Sequence, residues 1–221
     1  MDERTARWVG LLGALGGVLV VLSAIPPQWY GVPRTDSYLF TPSAGSPLWI
    51  HREVVPALAV LGVLGLFVAL LALVRRDWPV AGRLRRWSGV FALVGLGGVT
   101  LATPILEYVS FGDTGATTLV VLGGVLFAAL SAVLLAPALL ALGLGYARTR
   151  RPRVGYALVG VVLAVPALGY LVPEPAATLA ATLPIGVAAV FVGRDLYLYP
   201  DPLSAARGET ATDDHSHTAG R

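Results

Sequence analysis

The sequence predicts an all-α fold: an integral membrane bundle of six transmembrane helices with both termini cytoplasmic and an outer loop rich in proline and aromatic residues. Three observations predict it. The 221-residue chain is 56% hydrophobic and only 13% charged, about half the charged content of an ordinary soluble domain. Its apolar residues fall into six runs that contain no Asp, Glu, Lys, Arg or His, each long enough for a hydrocarbon layer of about 30 Å. Its arginines concentrate in two short turns between those runs, and guanidinium groups beside a span are retained on the cytoplasmic side.

The first run, 8–25, follows two arginines and two acids at the N-terminus. It exceeds the usual core of a secretory signal, and Leu22-Ser23-Ala24-Ile25 lacks the small-x-small pattern of a cleavage site, so a retained span is expected. Gly10, Gly13 and Gly17 with Ala14 form small-xxx-small pairs of the kind that admit a close helix neighbour. Residues 26–53 form the outer loop. Five prolines and Trp29, Tyr30, Tyr38, Phe40 and Trp49 suit a cap at headgroup depth. Ser46-Pro47 reads as a helix start, Ser as N-cap and Pro in the first turn. The second helix then begins ahead of its apolar run, 54–74, and carries Trp49, His51, Arg52 and Glu53 on its first two turns.

The turn Arg75-Arg76-Asp77-Trp78-Pro79-Val80-Ala81-Gly82-Arg83-Leu84-Arg85-Arg86 separates this run from the third, 87–104. A short outer loop holding Glu107 and Asp113 leads to the fourth run, 117–145, which is longer than a straight crossing needs and carries Pro137, a natural kink site. A second arginine turn with Arg148, Arg150, Arg151 and Arg153 precedes the fifth run, 154–172. Pro173-Glu174-Pro175 then turns the chain into the sixth, 176–193. This alternation leaves fourteen of sixteen arginines inside and two, Arg34 and Arg52, outside. Residues 1–199 thus form one transmembrane domain, and 200–221, polar and poor in apolar residues, a disordered cytoplasmic tail.

Two stretches echo one another. Ala69-Leu70-Leu71-Ala72-Leu73, an arginine turn and Gly89-Val90-Phe91-Ala92-Leu93-Val94-Gly95 resemble Ala138-Leu139-Leu140-Ala141-Leu142, a second arginine turn and Gly155-Tyr156-Ala157-Leu158-Val159-Gly160. Internal repeats of this kind build many transporters, and recurrence of Ala, Leu, Val and Gly in apolar segments gives a similar pattern.

Composition also limits function. The chain has no cysteine, which removes thiolate, disulfide and iron-sulfur chemistry. Its only methionine is the first residue and its only histidine outside the tail is His51, so intramembrane haem ligation is not expected. No ionisable residue lies within a run, against a charged proton or ion relay at midplane. Ser23, Thr100, Thr103, Ser131 and Thr182 are expected to satisfy their hydroxyls on the preceding helical turn. Asp213-Asp214-His215-Ser216-His217 reads as a solvated terminus, and no metal, cofactor or nucleic-acid partner is expected. The candidate ligand-binding residues are Arg34, His51, Arg52, Glu53 and Glu107 on the outer face, where Asp36, Asp113 and Glu174 also fall; Glu53, Asp113 and Glu174 stand near helix N-termini, where the dipole favours them. Three functions follow in order: a non-enzymatic accessory or scaffold subunit of the cell membrane, partnered by lipid and by another membrane protein or a second copy; a permease or channel-like carrier for a neutral or apolar solute; and a membrane enzyme using His51 and Glu107. The all-arginine basic complement fits a GC-rich prokaryotic origin.

Overall fold

A computed structural model describes residues 2–31, 43–108, 115–149 and 151–200. The described residues are helical, without strands, and six helices are long and apolar enough to cross a membrane. They are α1 Glu3–Ser23, α2 Pro47–Asp77, α3 Arg83–Tyr108, α4 Gly115–Ala147, α5 Pro152–Leu171 and α6 Ala177–Leu198. Arg34, Asp36, Tyr38, Phe40 and Asp113 of the expected outer loops, Arg150, and the tail from 201 onward lie outside the described residues.

Local chemistry sets the helix ends. Asp2 caps α1, accepting a hydrogen bond from the Thr5 N–H at 3.1 Å, and its bonding to Thr5 holds its carboxyl below the ordinary range. Ser46 caps α2 as expected, its Oγ accepting from the Trp49 N–H at 3.2 Å, with Pro47 in the first turn. Residues Ile50–Val54 of α2 form a wider π turn, closed by the Val55 N–H on the Ile50 carbonyl. Pro56 follows after one further residue, Val55. A proline ring clashes with the carbonyl four residues back, and the widened turn gives that carbonyl room. Each helix extends past its apolar run at one or both ends: α2 begins seven residues before Val54 and ends three after Val74, while α6 continues five beyond Gly193. Pro104, Pro137, Pro166 and Pro184 lie inside helices that continue through them.

Each helix packs on its sequence neighbours, α1 also packs on α6, and α2 touches α6. The result is an up-and-down ring, the arrangement that short connections favour. Glycine makes the closest joints. α1 presents Gly10 and Gly17 to α6 and Gly13 and Gly16 to α2. A Cβ on Gly10 would stand 2.5 Å from the Gly193 carbonyl oxygen, and one on Gly16 would stand 2.8 Å from that of Gly62. The small-xxx-small spacing of α1 thus serves two neighbours at once.

The core sits towards the end that carries the arginine turns, here the arginine end. Leu73, Leu142 and Leu196 are 0%, 1% and 0% exposed, one from each of the three helices whose C-termini lie there. Ala92, Val154, Leu158 and Val192 pack among them. Leu73 and Leu142 hold the same place in the echoed segments, and Gly89 and Gly155 each face the preceding helix of their own hairpin. The hydroxyls of Ser23, Thr100, Thr103, Ser131 and Thr182 all donate to carbonyls three or four residues back, as expected.

Candidate functional site

The end opposite the arginines carries a recess of about 230 Å³. The last residues of α1, the Pro26-Pro27-Gln28 segment, the π turn of α2, the end of α3 and the 174–178 segment enclose it. Three ionisable groups line it: His51, Glu107 and Glu174. Each owes its place to a local feature. His51 lies on the turn widened ahead of Pro56, Glu107 on the last turn of α3, and Glu174 on the proline turn before α6. Ser23 and Gln28 add hydrogen-bonding groups, and Pro26, Pro27 and Pro175 give rigid apolar wall.

Of the residues singled out from sequence, the structure therefore gathers His51, Glu107 and Glu174 around one space. Arg52 and Glu53 share the π turn with His51 but do not line the recess, and Glu53 is exposed. Arg34 is outside the described residues. An imidazole and two carboxylates around a small cavity can exchange protons or hold a cationic or hydrogen-bonding solute. No group of three or more His, Cys, Asp or Glu among the described residues is arranged to hold a metal ion.

A second ionic centre, not foreseen as such from the sequence, lies at the arginine end. Arg76, its side chain 1% exposed, is bound on both sides. Its Nε donates to Asp77 Oδ1 at 2.7 Å and its Nη2 to Asp195 Oδ2 at 2.7 Å. Its Nη1 donates to the backbone carbonyls of Tyr199, at 2.9 Å, and Asp195, at 3.3 Å. Arg151 reaches the same Asp195 oxygen at 3.0 Å, and the Tyr146 hydroxyl donates to Asp77 Oδ2 at 2.7 Å. Two guanidiniums thus face two carboxylates, so the cluster is neutral, and among the described residues every buried side-chain polar atom is hydrogen-bonded. It ties α2, the end of α4, the start of α5 and α6 together.

No protein-family model matches this chain, and no curated protein or solved structure matches it. Function must therefore be read from the two ionic centres and the surfaces between them.

The sequence held one sign of the buried cluster. Arg-Asp occurs at 76–77 and again at 194–195, in each case just past an apolar run. A carboxylate in the last turn of a helix opposes the helix dipole and calls for a cation. Counted only as topology signals, Arg76 and Arg151 concealed that demand.

Proposed function

We propose that the chain is a multi-pass protein of the cell membrane, with both arginine turns and both termini in the cytoplasm, acting as a non-enzymatic accessory or scaffold subunit. One observation carries the reading. Only 11% of the most apolar stretch of α4 is covered by the rest of the chain, against 17% for α5 and 33–39% for α1, α2, α3 and α6. Leu119, Leu122, Leu126, Leu130 and Val133 stand exposed along it, and Gly123 has open space where most of the other span glycines meet a neighbouring helix. Lipid or another helix must cover such a face, and small residues favour a helix.

The test is purification in mild detergent with Gly123→Leu as the comparison. The native chain is expected to bring a second membrane polypeptide, or a second copy, at fixed stoichiometry, and the variant to lose it while remaining folded. A monodisperse monomer for both would overturn the accessory role.

The recess supports a second reading, capture of a small solute at the outer face through His51, Glu107 and Glu174. A carrier would also need a path through the arginine end, which the buried leucines and ion cluster fill. Solute uptake or turnover that disappears in both His51→Ala and Glu107→Ala would favour this reading, and activity indifferent to both would end it.

A further inference from the structure

Two pairs of arginines at the arginine end are used in opposite ways. Arg76 and Arg151 are consumed by Asp77 and Asp195 inside the protein. Arg83 and Arg86 instead converge on a surface notch of about 400 Å³, walled by Trp78, Ala81 and Trp87. Arg86 is already oriented: Nε donates to the Trp78 carbonyl at 3.0 Å, Nη2 to that of Pro79 at 3.4 Å, and its guanidinium stands 5.6 Å from the centre of the Trp78 ring. Arg83 is exposed and makes no ion pair or side-chain hydrogen bond among the described residues. No carboxylate lines the notch. Two guanidiniums sharing one concave space repel each other and are best satisfied by an anion with several oxygens, a role for which the planar fork is suited.

The surroundings say which anion. Trp78 and Trp87 are both exposed, and indoles favour the depth at which a helix enters the apolar layer. From Trp87 an exposed apolar stripe runs down α3 through Phe91, Val94 and Leu101, at the spacing of one helix face. The Trp87 and Phe91 rings lie 6.3 Å apart. A free phosphate would use the notch and ignore the stripe, whereas a phospholipid would use both.

We propose that this notch binds the phosphodiester headgroup of an anionic phospholipid, whose acyl chain lies along Trp87, Phe91, Val94 and Leu101. The site depends on the protein residing in a membrane but not on its accessory role. A contrast lies within the molecule. A second recess, lined by Glu3, Arg4, Arg7, Trp8, Leu11 and Tyr197, has similar components but contains an acid, Glu3, paired with Arg7 at 3.7 Å. It is the weaker anion site.

The experiment is native mass spectrometry of the full chain in neutral detergent, titrated with dioctanoyl phosphatidylglycerol, with phosphatidylcholine of the same chain length, or with inorganic phosphate. One saturable phosphatidylglycerol adduct is expected, at least about ten-fold tighter than phosphatidylcholine. Arg83→Gln, which removes no bond within the chain, should weaken it about five-fold, the effect of one basic residue near an anionic surface. Arg148→Gln with Arg153→Gln removes two charges from the same end and should leave it unchanged. Equal binding of both lipids, equal loss in the Arg148/Arg153 double variant, an undiminished adduct in Arg83→Gln, or displacement by millimolar phosphate would each overturn the proposal.

Discussion

Arg76 shows how one side chain can hold a bundle end together. Removing one partner of a buried, hydrogen-bonded ion pair leaves the other charge stranded, at about 3–5 kcal/mol. Arg76→Ala and Asp195→Ala should each lower the thermal midpoint in mild detergent by an amount matching that loss. Arg76→Met combined with Asp195→Leu leaves Asp77 facing Arg151, 3.8 Å away, and so restores neutrality. The double variant should melt above either single variant. A double variant no better than the sum of the singles would mean that the cluster contributes by packing rather than by charge balance. Little of this could be read from Arg76 alone, because an arginine beside a span serves orientation whether its side chain points inward or out. Ser46 is the opposite case: a cap acts within one turn, so the Ser-Pro pair was sufficient to start α2.

At the scale of the helix, glycine spacing carried half of the information. Gly10, Gly13 and Gly17 announced close contacts, but 3.6 residues per turn places them on two faces, and only the fold assigns α6 to one and α2 to the other. Gly10→Leu would drive a branched side chain into the Gly193 carbonyl. Overpacking of this kind costs about 1–3 kcal/mol or more, whereas Gly160→Ala, where nothing lies within 4 Å, should be neutral or slightly stabilising because alanine favours helix. Melting the two variants side by side checks this, and equal losses would contradict the assigned contacts. Between the α2–α3 and α4–α5 hairpins, whose sequences echo one another, a side-chain bond also forms. Asp77 and Tyr146 each follow the repeated buried leucine by four residues, one turn along the same face, and they bond to each other across the two hairpins.

For the whole molecule, six charge-free runs were enough to give the number and order of the helices, because hydrocarbon length and backbone satisfaction leave few alternatives. Neither of the two ionic centres was legible in full. Each joins residues more than a hundred positions apart, such as Arg76 with Asp195 or His51 with Glu174, and local patterns do not encode such meetings. The proposed topology has the chain threading a bilayer six times with its arginine turns in the cytoplasm. The chain has no cysteine, so single cysteines introduced as Val80→Cys and Glu174→Cys can be probed in intact cells with a membrane-impermeant maleimide. Position 174 should label at once, and position 80 only after the cells are permeabilised. Labelling at position 80 with protection at 174 would contradict this topology, as would equal labelling of both before permeabilisation.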